Sequence, residues 1–480
     1  MPSIKGTNPM TQYRWTICSL LFLATTVNYL DRQVLSLTWK DFIVPEFHWS
    51  NTDYGNITAA FSLTYALSML VAGRFVDRLG TKKGFLWAIG IWSLGACLHA
   101  FSGIAASGWL TGHWLVNFKG AKAILENSAD AGQVTQISVT VFIFARMVLA
   151  LGEAGNFPAA IKATAEYFPK KDRGFATSIF NAGATVGAMA APVTIPFIAD
   201  AFGWEMSFLV IGLLGFIWMG LWVWVYDHPE RHPKVNGAEL AYIQQDHALE
   251  TVTSAKESKK IPFQKIFTYR QTWSFAIGKF MTDGVWWFLL FWAPAYLSSV
   301  YGLSAKQSAP QLFVLYMITL LSIVGGWLPT YFIHKKGMNP YAGRMKAMLI
   351  FAFFPVLALF AQPLGHFSVW IPVCIIGIAG AAHQSWSANI YSTVSDMFPK
   401  PAVATVIGIG GMAGGLSSFL INKGSGKLFD YAITTNMSFM GFQGIEAGYF
   451  IIFSFCAVSY LSGWVIMKML VPHYKIIEDL

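Results

Sequence analysis

Six charged residues stand where charge is costly. Asp31, Arg32, Arg146, Glu153, Lys279 and Asp283 each lie within a long apolar stretch of the chain. An ionisable group near the middle of a membrane costs roughly 2.5–3.5 kcal/mol or more, so such groups face a cavity or one another and often mark function. Asp31 and Arg32 are adjacent, and neighbours on a helix point about 100° apart, so they address different surroundings. The Arg32 guanidinium is a planar fork of donors that suits a carboxylate. Asp31 repels an anion but can carry a proton. Arg146 and Glu153 are seven residues apart, near one helix face and ~10 Å apart along the axis. Arg146 could pair with Glu153 when the acid is deprotonated, and a purely structural role for Arg146 is the alternative. Small residues in LGEAGNFP open space around Glu153. Burial moves a carboxyl's titration toward neutral pH, as proton coupling requires. Lys279 and Asp283, spaced i, i+4, are close enough to pair. The competing reading of these charges is a set of static salt bridges that hold the fold.

Polar and aromatic side chains surround these charges in the sequence. Trp286, Trp287 and Phe291 follow Asp283 around successive helical turns, and Trp287 can form a wall for a sugar ring. Phe61, Tyr65 and Met69 share a face by their fourfold spacing, and Tyr65 can donate to a carboxylate or a hydroxyl. His383 and Gln384, with Ser387 and Asn389, interrupt an apolar span, and Asn181 does so within FNAG. Core or lipid packing competes as the role of any one aromatic, because the chain holds 19 Trp and 39 Phe. A lone His such as His383 is usually structural. No HExxH or GxSxG occurs. The glycine clusters at 183–187 and 408–415 lack the Lys-Ser/Thr of a phosphate loop. Inside a span, small residues allow close and mobile helix contact. No catalytic residue, metal site or cofactor is expected.

The elements that position these groups follow from composition. The 480 residues are 55% hydrophobic and 12% charged, with a mean hydropathy of +0.49. Soluble chains carry roughly 25% charged residues; half of that cannot cover a surface facing water. Twelve apolar stretches approach the ~20 residues that cross a bilayer, near 14–37, 54–76, 82–105, 138–161, 174–199, 204–226, 271–298, 308–333, 345–362, 367–391, 402–422 and 446–470. The first contains Asp31 and Arg32 and does not read as a cleavable signal peptide. Of the 33 Lys and Arg, 24 fall in the segments that share a side with both termini. Six (Lys40, Lys119, Lys122, Lys306, Lys423 and Lys427) fall on the other side, and Arg32, Arg146 and Lys279 lie within spans. This bias predicts cytoplasmic termini and accounts for the net charge of +9 without a nucleic-acid partner. Cys18, Cys97, Cys374 and Cys456 all fall within spans without CxxC spacing, and are expected as buried reduced thiols.

The chain divides into residues 1–226 and 271–480, six spans each, joined by a polar linker at 227–270. Two motifs repeat between the halves. Gly73-RFVDRLGTKK-Gly84 matches Gly326-WLPTYFIHKK-Gly337 at an offset of 253 residues. Glu166-YFPK matches Asp396-MFPK at 230. The difference of 23 residues is located in a long excursion at 101–138. Such repeats suggest two related bundles around a central site. In the first loop, Gly73 is expected to let helices approach, and Gly73, Asp77, Arg78 and Gly80 are the expected gating residues. Asp77 can pair with Arg78, Lys82 or Lys83 as a latch between conformations; a basic loop with no gating role is the alternative. Thr330 replaces Asp77 in the second copy.

The first loop resembles the loop 2–3 signature of the major facilitator superfamily. NYLDRQVLS, RMVLALGEAGNFPAAIKATAEYFPKKDRG and SIFNAGATVGAMAAP resemble the anion:cation symporter family. YRQTWSFAIGKFMTDGVWWFLLFWAPAYL, GIAGAAHQSWSANIYSTVSDMFPK and AVATVIGIGGMAGG resemble its hexuronate transporters most. The resemblance covers nearly the whole chain, apart from the longer 101–138 excursion. It implies an all-α membrane protein of about twelve helices in two bundles, with alternating access. It implies import of a hexuronate, glucuronate or galacturonate, by proton symport across a bacterial inner membrane, as a monomer and not as an enzyme. Arg32 would bind the carboxylate, aided by Tyr65 or Lys279, with Asn181, Trp287, His383 and Gln384 on the sugar. Asp31 and Glu153 would couple protons, supported by Arg146 and Asp283. Related carriers of aldonates or other carboxylates would show similar charges, and a transporter-like receptor for a sugar acid is a further alternative.

Overall fold

A computed structural model describes residues 9–246 and 263–477. The ETVTSAKESKK part of the linker lies outside the described residues. Long helices form where apolar residues outnumber polar ones over whole turns, since a backbone in lipid must satisfy its own hydrogen bonds. Among the described residues these are α1 (Tyr13–Thr38), α2 (Asn51–Leu79), α3 (Thr81–Ala100), α4 (Ala131–Tyr167), α5 (Lys170–Phe202) and α6 (Trp204–Val225) in the first half. The second half holds α7 (Arg270–Tyr301), α8 (Ala309–Lys335), α9 (Pro340–Gly365), α10 (Trp370–Met397), α11 (Lys400–Thr434) and α12 (Gly444–Leu470). The chain is an all-α membrane protein.

Eight of these helices are long and apolar enough by themselves to cross a membrane, and α3 with its bent continuation makes a ninth. The remaining three, α1, α7 and α10, are long enough but more polar. They carry Asp31 and Arg32, Lys279 and Asp283, and His383 and Gln384. The three helices least suited to lipid therefore carry much of the candidate site, while α2 and α4, apolar enough to span, supply Tyr65 and Glu153.

The 101–138 excursion is largely helical. Past Phe101 the chain bends by 54° and continues as the helix Ser102–Thr111, which Gly112 ends at φ +77°. A second short helix, Phe118–Glu126, is capped by Asn117 and buries Ala121 and Leu125. Then α4 begins at Ala131, seven residues before its apolar stretch, with Asp130 as its cap. Likewise α11 runs to Thr434, so Lys423 and Lys427 lie on a helix instead of in a loop.

Among the described residues, the start of α1 and the linker helix Gly237–Ile243 meet at one end of the helices, the linker end. Buried Glu239, on the linker helix Gly237–Ile243, accepts hydrogen bonds from Tyr13 N and Arg14 N at 3.1 and 3.0 Å and pairs with the Arg14 guanidinium at 3.1 Å. A carboxylate thus meets the unsatisfied N–H groups at the start of α1.

The repeated loops differ from their sequence reading. Asp77 pairs with Lys162 of α4 at 3.0 Å, not with Arg78, Lys82 or Lys83. Lys162 rises from a facing helix, whereas the others follow Asp77 past the helix end or beside it. Gly73 marks no close approach, since a Cβ there would meet nothing within 4 Å. The chain turns at Gly80 (φ +76°) in the first copy but at Gly337 (φ +63°) in the second, because a π-turn at Tyr331–Lys335 prolongs α8. Glu166 accepts from Thr81 at 2.5 Å and from the Tyr226 hydroxyl. Its counterpart Asp396 accepts from Arg344 at 2.6 Å. All four cysteines are free; Cys18 and Cys456 are buried, but Cys374 is exposed on α10.

At the far end the halves are sealed. Asp430 of α11 accepts from Asn51 N, Asn51 Nδ2 and Thr52 N at 3.1, 2.9 and 2.7 Å, at the start of α2. Ala305 N donates to Asp41 at 2.5 Å, and Lys306 pairs with Asp200 at 2.8 Å. A Cβ on Gly55 would lie 2.7 Å from Asn422 O, so these helices cross nearly backbone to backbone. Below them Trp39 stacks on Tyr54 at 4.1 Å, and Trp292 meets both rings edge-on.

Glu46, in the short helix Val44–Phe47 at this end, is 1% exposed. Its Oε2 accepts from the Trp204 indole at 2.9 Å, and its Oε1 has no partner among the described residues. Burial pushes its carboxyl from 4.5 up to about 7, against the Trp204 hydrogen bond. The native state therefore holds this proton more tightly than the unfolded chain does. The stability it gives is present in full below about 4.5 and is lost as pH rises through about 7. Between pH 5 and pH 8 the purified protein should lose on the order of 2 kcal/mol through this group, read as a falling thermal unfolding midpoint. Glu46→Gln should flatten that slope; an unchanged slope would assign it to other groups.

Candidate functional site

A cavity of about 140 Å³ lies between the halves. The first half contributes Tyr29 and Arg32 from α1 and Tyr65 and Met69 from α2. The second contributes Lys279, Asp283, Trp286 and Trp287 from α7, His383, Gln384, Ser387 and Tyr391 from α10, and Gly411 and Gly415 from α11. Arg32, Tyr65, Lys279, Asp283, Trp287, His383 and Gln384, expected together from sequence, thus meet on one cavity.

Arg32 is 3% exposed. Its Nε and Nη2 both donate to Glu153 Oε2, at 2.9 and 2.5 Å. Four rings enclose the guanidinium: Trp287, Tyr29, Tyr65 and Phe61, with centroids 4.7, 5.0, 5.1 and 5.7 Å from Cζ. Such cation–π contacts are worth ~2 kcal/mol when desolvated. Trp287 comes from the opposite half, so the cation is shared across the interface. Glu153 is presented by a break in α4 at Ala154–Gly155. That segment is pressed onto α3, since a Cβ on Gly155 would lie 2.7 Å from the Ala88 Cβ.

The pairing of Arg146 with Glu153 is a correction. Glu153 pairs with Arg32, and no nitrogen of Arg146 has a hydrogen-bond partner among the described residues. Two helical turns separate Arg146 from Glu153 along one axis, whereas Arg32 arrives from the neighbouring α1. Asp31 is likewise buried with neither oxygen hydrogen-bonded. Arg146 remains within electrostatic reach of Asp31 and Glu153. The four groups form one buried cluster behind the cavity wall, of which Arg32 alone lines the cavity.

On the facing side, Lys279 pairs with Asp283 at 2.7 Å and lies 4.4 Å from the Tyr391 ring centroid. Asp283 rests against the backbone of α11 at Gly414, where a Cβ would overlap its carboxylate. Gly415 makes the same close approach to Ala66 of α2, and Gly183 and Gly187 to α1. His383 is held by packing: its ring stacks on Trp286 at 5.2 Å, and its Nδ1 is 2.7 Å from the Tyr460 hydroxyl. Asn389 donates to Gly325 O at 2.9 Å, tying α10 to α8 away from the cavity. Asn181 is exposed and does not line the cavity. Gly183 and Gly187 face α1, and two residues of helix place Asn181 about 200° from Gly183.

Tyr29 and Tyr391 line the cavity without having been singled out in sequence. The signal was helical spacing: Tyr29 precedes Arg32 by three residues, and Tyr391 follows Gln384 by seven. Among the described residues no three His, Cys, Asp or Glu side chains are grouped to hold a metal ion.

Comparison with known families matches residues 21–421 to the Major Facilitator Superfamily. The chain belongs to that superfamily. The hexuronate transporter of Escherichia coli (strain K12) is 30% identical over 439 residues, spanning 90% of this chain and 89% of that protein. The protein called "Probable galactarate/D-glucarate transporter GudP" in Bacillus subtilis (strain 168) is 26% identical, over 92% and 90%. Among solved structures, a bacterial homologue of the human lysosomal transporter Spinster, inward-facing and occupied, superposes with a TM-score of 0.67 at 18% identity, covering 98% of each chain. These relatives are transporters, and this superfamily member is a transporter and not an enzyme.

The Lys279–Asp283 pair yields a measurable coupling. Asp283→Asn strands a buried ammonium and should cost ~3–5 kcal/mol of stability, lowering the thermal midpoint of the purified protein. Adding Lys279→Gln to Asp283→Asn should restore most of that loss. Additive losses in the double variant would show that the two groups are not energetically paired.

Proposed function

We propose that this transporter imports a hexuronate, glucuronate or galacturonate, together with protons, by alternating access across a bacterial inner membrane. The observation that carries the reading is Arg32, whose Nε and Nη2 are both taken by one oxygen of Glu153 at the wall of a cavity between the halves. A carboxylate arriving in the cavity competes with Glu153 for the same donors. Protonating Glu153 discharges its hold and frees the guanidinium fork for the substrate. Release of the proton on the other side lets Glu153 reclaim Arg32 and expel the anion. Asp31, within electrostatic reach of Glu153 and Arg146, takes part in the same proton exchange. Rings of Trp287 and Tyr65 stack on or bond to the sugar, and Gln384 and Ser387 suit its hydroxyls. The basic bias toward the linker end supports cytoplasmic termini. The 30% identity to a hexuronate transporter supports the substrate class.

A second reading has its own observation. Lys279, paired with Asp283 across the cavity from Arg32, offers a second cation that an acidic substrate with two carboxylates can engage. The likeness to a protein named for galactarate and D-glucarate agrees with it.

Uptake of radiolabelled glucuronate into proteoliposomes under an inward proton gradient tests both readings. The wild type should accumulate glucuronate. Glu153→Gln should lose gradient-driven accumulation while keeping exchange, and Arg32→Ala should lose roughly 30-fold or more in both. Stronger competition by glucarate than by glucuronate would move the substrate to the dicarboxylates. Equal accumulation by Glu153→Gln would end the proposed coupling role of that residue.

A further inference from the structure

Toward the linker end the outer surface is grooved where α7 lies beside the packed pair of α2 and α11. Leu63, Ala66 and Leu67 of α2 face Trp273, Ala276, Ile277 and Phe280 of α7 and Ile409, Met412, Ala413 and Leu416 of α11. The cavity between them holds about 440 Å³ and is lined by apolar side chains. The same exposed face of α2 continues toward the linker end through Val71 and Phe75 and meets a second hollow walled by Arg74, Arg78 and Leu79. Leu67 and Val71 are 54% and 59% exposed, so the face has no protein cover.

The charges along this face are asymmetric. Arg74 and Arg78 are exposed, and neither makes an ion pair or hydrogen bond among the described residues. The nearby acid, Asp77, is taken by Lys162 of α4. Fifteen residues separate Leu63 from Arg78, which is ~22 Å of helix. One leaflet, from bilayer midplane to headgroups, is ~20–22 Å. The apolar end of the groove therefore lies at acyl-chain depth and the two arginines at headgroup depth.

We infer that this groove is a binding site for an anionic glycerophospholipid, with one acyl chain between α2, α7 and α11 and its phosphate on Arg74 and Arg78. A zwitterionic lipid fills the apolar part equally well but carries a choline that the two arginines repel. The bound lipid touches both halves beside the Ser62–Ser418 hydrogen bond that joins α2 to α11.

Native mass spectrometry of the full chain tests the site, using micelles doped with equal amounts of phosphatidylglycerol and phosphatidylcholine of the same acyl chains. The wild type should retain phosphatidylglycerol over phosphatidylcholine by roughly tenfold or more, at ~5-fold per arginine. The Arg74→Gln, Arg78→Gln double variant should bring that ratio close to one. Leu67→Trp, which fills the apolar end and leaves both arginines in place, should lower retention of both lipids. Equal retention of the two lipids by the wild type would overturn the assignment, as would an unchanged ratio in the double variant or unchanged adducts in Leu67→Trp.

Discussion

A guanidinium and a carboxylate at mid-membrane must meet, and the meeting of Arg32 with Glu153 organises the first half of this protein. Each charge alone would be costly in a low-dielectric interior. Held together, they fix α1 against the broken α4 at one point. That point also serves as the wall of the central cavity. Arg146 and Asp31 lie behind it without hydrogen bonds of their own, so the cluster is charged but not locked. The second half repeats the device more simply, with Lys279 and Asp283 on one helix. Two neutralised pairs thus face one cavity from opposite sides. On the proposed reading, an anion entering it displaces a carboxylate and does not have to overcome an unscreened field.

Close helix packing makes this arrangement possible. Glycines at 183, 187, 414 and 415 allow backbones or short side chains to approach where any Cβ would collide, bringing α1 to α5 and α11 to both α2 and Asp283. The contacts that join the halves are unevenly distributed. At the far end, Asp430 binds the start of α2, an aromatic stack lies below it, and Lys306 pairs with Asp200. At the linker end, α2 instead borders an apolar groove shared with α7 and α11. Nearer the middle, Ser62 and Ser418 are hydrogen-bonded 2.8 Å apart and hold α2 to α11 beside that groove.

Much of this was legible from composition and spacing. The excess of apolar residues required a bilayer, and each apolar stretch located a helix, although α4 starts seven residues before its stretch and α11 runs twelve past its own. Charges inside those stretches had to face inward, which placed Arg32, Lys279 and Asp283 on a cavity before any contact was known. The i, i+4 spacing of Lys279 and Asp283 even gave their partnership, because both lie on one helix, where geometry is local.

What the sequence could not determine was anything that depends on which helix stands beside which. Glu153 had a charged neighbour on its own helix in Arg146, yet its partner is Arg32, 121 residues away. Asp77 had three basic neighbours in its loop and pairs with Lys162. Asn181 looked like a cavity residue but points away from it, and Tyr29 and Tyr391 passed unnoticed among many aromatics. Periodicity tells which residues share a face of one helix. It does not tell what that face meets, because helix packing is set by side-chain fit over the whole bundle. The sequence by itself therefore determined the membrane fold, the spans and the set of inward charges. The tertiary structure alone decided how those charges pair and which of them border the cavity.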